Sequence, residues 1–270
     1  MIIDLHVHSN NSDGFLSPES IFKIASNSKC RVLSITDHDF ICDYSLIASK
    51  YGILSITGIE FNTAYKRMHI LGYNIKDVLR VKKIMDDLAK YNEEVCLRVI
   101  NMLKLDGFDI SLKDIMTYCR ENNINTSVIN KKLIVKYLIS KGYADSVKQT
   151  YDKLIGRNAP YYYPIYKLPE KEVIELIQSA GGIPVLAHPG TIESDENILN
   201  QLASYGLQGI ELTSGKKYST NNEFYESFAE KNNLITTYGS DFHDENDEFG
   251  INVEDKKVKS LVKRMGVKIW

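Results

Sequence analysis

The chain has 270 residues, 43% of them hydrophobic and 25% charged, with a formal net charge of −2; this is the balance of a globular protein of one large or two small domains. The near-neutral charge excludes a global positive field for nucleic acid or an anionic membrane, and no DNA-binding motif is present. No apolar run approaches the ~20 residues of a membrane span, and the start, Met1-Ile2-Ile3-Asp4-Leu5-His6, lacks the basic and apolar segments of a secretory leader.

Seven short, β-branched apolar runs read as strands: Ile2–Val7, 31–36, 54–59, His69–Tyr73, 182–187, Gly209–Thr213 and 234–238. Helical segments fall between most of them. Ser17-Pro18-Glu19 opens one, with a Ser N-cap and Pro at the first helical position. Leu168-Pro169-Glu170 opens another, and 197–205 and Asn222–Lys231 also fit helices. Strand–helix alternation predicts βαβ units and a mainly parallel sheet, in a barrel or a doubly wound arrangement. The alternation breaks over 77–164, which reads as helical and strand-free: Val78–Leu105, Leu112–Glu121, 130–141 and 146–154. The expected organisation is therefore a domain of residues 1–76 and 165–270 carrying a helical insertion at 77–164. Cys30, Cys42, Cys96 and Cys119 lie far apart and form no CxxC. Free thiols and a reducing cytoplasm are the expectation.

The placement of the six histidines is informative. His6 and His8 lie two apart at the end of the first strand run, on one side of it and about 7 Å apart along the chain. Asp13 follows in Asn11-Ser12-Asp13-Gly14, and His38 follows the second run in Thr36-Asp37-His38-Asp39. Glu60 ends the third run, His69 begins the fourth and His188 ends the fifth. Asp241 and His243 follow the last, in Gly239-Ser240-Asp241-Phe242-His243. Eight of these nine sit at or beyond the C-terminal end of a strand run, the face on which sites assemble in parallel α/β barrels; His69 is the exception. Imidazole and carboxylate without thiolate suit Zn, Mn or Fe. Nine ligands are too many for one ion and suffice for two or three divalent ions sharing a bridging carboxylate.

These motifs together resemble the PHP family, the polymerase and histidinol phosphatase superfamily. The matching segments are His6-Val7-His8, Ser12-Asp13-Gly14, Thr36-Asp37-His38-Asp39, Gly58-Ile59-Glu60, His69-Ile70-Leu71-Gly72, His188-Pro189 and Gly239-Ser240-Asp241-Phe242-His243. The resemblance implies an α/β fold, a distorted (β/α)7 barrel with a helical insertion subdomain, and a trinuclear metal centre. It implies that His6, His8, Glu60 and Asp241 hold the first ion. Glu60, His69 and His188 would hold the second, and Asp13, His38 and His243 the third. Asp37 and Asp39 then orient ligands or face substrate. The catalytic residues it implies are Glu60, Asp241 and His243. The expected chemistry is attack on phosphorus by a hydroxide that the metals generate from water, with no Ser or Cys nucleophile.

The long insertion resembles one subgroup, phosphoesterases that cleave 3′,5′-bisphosphonucleotides or trim short RNA from its 5′ end. A small phosphorylated substrate, a nucleotide or short RNA, is therefore the expected partner. Lys131, Arg157 and Asp39 are the predicted substrate contacts, and Lys132, Lys216 and Lys217 further basic candidates. Tyr161, Tyr162 and Tyr163 suit packing or stacking on a base. The chain departs from the subgroup twice. Lys131-Lys132-Leu133 stands where the subgroup carries Arg-Pro-His, and Asp244, Glu245, Asp247 and Glu248 follow the last motif. Competing readings are a histidinol-phosphate-type phosphomonoesterase, a metal amidohydrolase and a non-catalytic binding module.

Overall fold

The computed structural model describes residues 1–65, 67–122, 124, 128–192, 195–213 and 221–267. The chain divides into two compact units, one of Met1–Met85 with Lys167–Trp270 and one of Asp86–Tyr166.

The first unit is a mixed α/β fold with two sheets. One sheet contains β1 (Ile2–Val7), β2 (Cys30–Ile35), β3 (Leu54–Ser55) and β9 (Ile251–Asn252), in the order β3-β2-β1-β9. The other runs β4 (Gly58–Asn62), β5 (His69–Tyr73), β6 (Ile183–Leu186), β7 (Gly209–Thr213), β8 (Ile235–Gly239). The run read as one strand at 54–59 is broken after Ser55, so its halves serve different sheets. The pairing is less parallel than the sequence predicts. β5 is antiparallel to both β4 and β6, and β9 is antiparallel to β1. β4 ends at Asn62 opposite the first residue of β5, His69, so the chain reverses direction between them where a helical crossover would not.

Backbone pairing also runs between the sheets at two seams. His8 N–H donates to Phe242 O at 2.8 Å and Asp241 N–H to His6 O at 2.9 Å, joining the end of β1 to the chain after β8. Asp39 N–H donates to Glu60 O at 2.9 Å and Glu60 N–H to Asp37 O at 3.2 Å, joining the chain after β2 to β4. Between the sheets lie fully buried Leu5, Leu71, Tyr73 and Val185.

Helices α1 (Pro18–Asn27), α2 (Ser45–Tyr51), α7 (Glu170–Ser179), α8 (Glu196–Ser204), α9 (Asn222–Lys231) and α10 (Asp255–Arg264) complete this unit. Ser17 caps α1 by accepting from Ser20 N–H, and Asp195 and Asn221 cap α8 and α9 in the same way. No side-chain cap precedes α2 or α10, and neither helix was predicted.

The helix α3 (Val78–Leu105) carries the chain into the second unit, which continues with α4 (Leu112–Glu121), α5 (Lys131–Ser140), α6 (Val147–Thr150) and a π-helical turn at Tyr151–Ile155. Ser111, Asn130 and Ser146 cap α4, α5 and α6. Val99, Leu103, Ile115, Ile134, Leu138 and Ile155 form its core, and no strand occurs among its described residues. No helix among the described residues is long and apolar enough to cross a membrane.

Tyr73 ties the two sheets through the interior: its buried hydroxyl donates to Leu5 O at 2.8 Å. Tyr73→Phe leaves that carbonyl without its partner and should cost about 1–2 kcal/mol, read as a shift in the midpoint of denaturant unfolding.

Candidate metal centre

β1 delivers His6 and His8 two residues apart, and their Nε2 atoms meet at 3.2 Å. Both residues are fully buried, as is Asp4 two residues earlier. Beyond β1 the loop at 9–14 turns back on itself. Ser12 N–H and Gly14 N–H both donate to Ser9 O at 3.1 Å. A Cβ on Gly14 would lie 2.3 Å from His8 O, so only glycine lets the loop close this tightly. The turn brings Asp13 Oδ1 to 3.6 Å from His8 Nδ1 and 3.4 Å from His243 Nε2.

Asp37 latches the same loop. Its carboxylate accepts from Ser9 N–H and Ser9 Oγ, both at 2.7 Å, and from Ser12 Oγ at 2.8 Å. Asp39, with φ of 52°, accepts from Asn62 N–H at 3.0 Å and from Asn62 Nδ2 at 2.9 Å. Asn62 Oδ1 in turn accepts from Lys167 Nζ at 3.5 Å.

Glu60 is the hub. Its Oε2 lies 3.2 Å from His6 Nε2, 3.1 Å from His8 Nε2 and 3.2 Å from His38 Nδ1. Its Oε1 lies 2.9 Å from His69 Nδ1 and 3.0 Å from His188 Nε2. The reversed direction of β5 explains His69. An antiparallel strand begins where its parallel neighbours end, so His69 pairs with Asn62 at the ligand-bearing end of β4. Asp241 Oδ1 completes the cluster, 3.1 Å from His8 Nε2, 3.5 Å from His6 Nε2 and 3.7 Å from His243 Nδ1. All nine residues predicted as ligands thus belong to one cluster in one unit. Three subsets have ligand atoms close enough to share an ion: His6, His8, Glu60, Asp241; His8, Asp13, His38; and His38, Glu60, His69.

Metal ions fit this arrangement. A carboxylate offers about four lone-pair sites, fewer than the five imidazole nitrogens around Glu60. Glu60 Oε2 and His38 Nδ1 are buried and make no hydrogen bond of proper geometry, although they face each other. Converging lone pairs around such atoms are the donor set of a cation site. Non-glycine residues His188 and Asp241 adopt φ of 24° and 55°, strain that the surrounding hydrogen bonds sustain.

The electrostatics follow from burial and close charge. Burial opposes the charged form of His8, but the carboxylates of Asp241 and Glu60, each 3.1 Å from its Nε2, outweigh it and raise its pKa to about 9. His38 is pushed down to about 4, chiefly by burial. Burial works to raise Glu60, yet His38 and His6 hold it well below the usual carboxylate range. Asp241 is likewise depressed, because His8 and His6 overcome its burial.

The predicted substrate contacts fall in both units. Lys131 and Arg157 belong to the second. Lys131 Nζ donates to Tyr163 O at 2.5 Å and lies 5.1 Å from the Tyr162 ring centroid, and Arg157 is exposed. Tyr161 donates to Asp106 at 2.8 Å and Tyr163 accepts from Arg98 at 2.8 Å, and both pack on that unit's core. Lys216 and Lys217 lie outside the described residues. In the acidic loop, Asp247 accepts from His243 N–H at 2.8 Å and Asp244 from Asn246 N–H at 2.7 Å. These two carboxylates therefore cap the loop's own amides.

Sequence reasoning missed Glu211 and Asp4. Glu211 on β7 is fully buried and contacts His6 Nδ1 at 2.9 Å. Asp4 accepts from Ser240 Oγ at 2.6 Å and from Gly250 N–H at 2.9 Å. An acidic residue inside an apolar strand, as in Ile210-Glu211-Leu212, was the available signal.

Fold and site together define an α/β protein with a buried histidine–carboxylate cluster suited to divalent metal. The chain belongs to the PHP domain family, whose model matches residues 4–156, more than half of it. The 3′,5′-nucleoside bisphosphate phosphatase of Chromobacterium violaceum is 26% identical over 253 residues, covering 89% of this chain and 87% of that protein. The 5′-3′ exoribonuclease of Haemophilus influenzae is 24% identical over 250 residues, covering 89% of each. The phosphoribosyl 1,2-cyclic phosphate 1,2-diphosphodiesterase of Eggerthella lenta is 24% identical over 253 residues, covering 90% of this chain and 94% of that one. A solved Bifidobacterium adolescentis protein, assigned to the metal-dependent phosphoesterases, shares the fold with a TM-score of 0.74 at 22% identity, covering 97% and 96% of the two chains.

Two predictions follow from the charges. In metal-free protein, the raised His8 adds stability that is complete below its ordinary 6.5 and lost as pH rises through about 9. Depressed Glu60 and Asp241 add stability that is lost as pH falls through and below the usual carboxylate range, and His38 adds to the acid loss between 6.5 and about 4. Chelated protein should therefore melt at its highest temperature near neutral pH and lower on both sides. Second, Glu60→Gln should strip most bound metal, measured by elemental analysis after dialysis, and abolish turnover with it.

Proposed function

We propose that the protein is a metal-dependent phosphoesterase that hydrolyses a phosphate ester of a 3′,5′-bisphosphonucleotide or a short oligoribonucleotide. The observation that carries this reading is the Glu60 carboxylate, whose two oxygens face three and two imidazoles respectively. The ligand sets implied by the family resemblance divide along it. His6, His8, Glu60 and Asp241 would hold one ion, and Glu60, His69 and His188 a second. Asp13, His38 and His243 would hold a third, and Glu60 would be shared by the first two. Mn, Zn and Fe all suit these donors. The two sheets, paired at both seams, form on this reading one distorted seven-stranded barrel with the second unit as its insertion.

When bound, such ions polarise phosphoryl oxygens and lower the pKa of water. The chain's own residues hold and orient. Glu60, buried and kept ionised by its histidines, sets the spacing of the inner ligands. Asp241 is fixed by its N–H to His6 O at 2.9 Å and aims its carboxylate at His8. Asp13 and His243, with 35% and 22% of their side chains exposed, form the open edge where a phosphoryl group enters. The thiols supply no nucleophile: burial pushes Cys30 up to about 12 and Cys96 up to about 11. Lys131, Arg157 and Asp39 remain the proposed substrate contacts, Asp39 acting through Asn62 on Lys167. Exposed Glu245 and Glu248 add negative charge beside His243 and favour a small substrate over a long polyanion.

The test is hydrolysis by Mn-, Zn- or Fe-loaded protein of adenosine 3′,5′-bisphosphate and histidinol phosphate, read as phosphate released, and of a 5′-phosphorylated oligoribonucleotide, read as nucleotide released, with an amide panel read as amine beside them. Turnover of the bisphosphate above the others is expected. Turnover of amides alone would overturn the phosphoesterase reading. Preference for histidinol phosphate would move the substrate to a simple phosphomonoester.

A further inference from the structure

Glu211 lies outside the nine proposed ligands, yet it is fully buried and touches two of them. Its Oε1 is 2.9 Å and its Oε2 3.1 Å from His6 Nδ1. The same Oε2 accepts from the main-chain N–H of His188 at 2.7 Å. We propose that Glu211 is a positioning residue that sets the His6 imidazole and the His188 main chain, and through them two different ions, from one carboxylate. The inference rests on the metal-centre reading above.

A carboxylate only accepts, so His6 Nδ1 must bear the proton. Nε2 is then left to bring its lone pair to the cluster, where it faces Glu60 Oε2 at 3.2 Å and Asp241 Oδ1 at 3.5 Å. Carboxylate partners of this kind fix ring orientation and raise ligand basicity. At His188 the need is different. Its φ of 24° is a conformation that a side-chain-bearing residue rarely adopts, and the peptide N–H bond to Glu211 clamps it. With the backbone held, His188 Nε2 reaches Glu60 Oε1 at 3.0 Å. The neighbouring strand leaves room for this pairing and no more. A Cβ on Gly239 would lie 2.2 Å from His6 Cβ and 2.6 Å from Glu211 Oε1. Side chains of β1 and β7 therefore meet where β8 carries no side chain.

The deciding experiment titrates metal-loaded native protein, Glu211→Gln and Glu211→Asp against a competing chelator, well below their melting temperatures, reading zinc by elemental analysis. The Gln amide is uncharged and puts an NH2 donor in place of one accepting oxygen, so it cannot hold the His6 Nδ1–H as the carboxylate does while keeping the bond to His188 N–H. It should weaken zinc retention about 10–100-fold, and Asp, which keeps the charge, should recover part of the loss. A Gln variant with native zinc retention would overturn the proposal while leaving the metal centre intact. Native protein that takes up none of zinc, manganese and iron would overturn both. If the Gln variant does not fold, ring-nitrogen NMR of zinc-loaded native protein decides: a proton on His6 Nδ1 is expected, and one on Nε2 would refute the assignment.

Discussion

One carboxylate with five imidazoles around it is the constraint on which this molecule turns. Glu60 is buried, and burial alone would drive it toward its neutral form. It stays ionised because five histidines from four separate segments close on it. Those histidines do not share one state: the carboxylates of Asp241 and Glu60 raise His8, whereas burial depresses His38. Such an assembly is electrostatically incomplete from within. Cations at its centre would resolve it, since they would hold the carboxylate ionised and the imidazoles neutral at once.

Much of this was legible in the residues. The nine histidines and carboxylates were readable because each sits in a short motif at a strand run, and the pattern His-x-His, Asp-His-Asp, Asp-x-His has a chemical meaning. Helices with a polar N-cap, such as those after Ser17 and Ser111, were readable for the same local reason. The direction of β5 was not, because a strand's composition is blind to the sense in which it runs; the outlying position of His69 was the sign that the sheet reverses there. Helices α2 and α10 begin without a side-chain cap and β9 is two residues long, so none carries a local start signal, although α10 buries Val258, Leu261 and Val262 at helical spacing. Asp4 and Glu211 were hidden because a buried carboxylate that serves a neighbour obeys no spacing rule.

The loops around the centre show how strain and support are combined. Asp37 holds the 9–14 loop by three hydrogen bonds, Gly14 allows the loop to close on His8 O, and Asp247 accepts from the amide of His243. Carboxylates thus fall into two populations. Glu60, Asp13 and Asp241 face histidine nitrogens, whereas Asp4, Asp37, Asp244 and Asp247 bind mainly to main-chain N–H groups and hydroxyls. The second population keeps the first in place, and it accounts for part of the acidity beside the site.

The span of the cluster along the chain has a consequence for biosynthesis. Its members run from His6 to His243, and the end of β1 pairs with residues that follow β8. On a ribosome, His6 and His8 emerge first and must wait for Asp241 and His243 before they meet their partners. A nascent or prematurely terminated chain can present isolated histidines but not the assembled pocket. The proposed ion sets that need Asp241 or His243 are thereby completed only after synthesis has passed β8, whereas Glu60, His69 and His188 are all made before it.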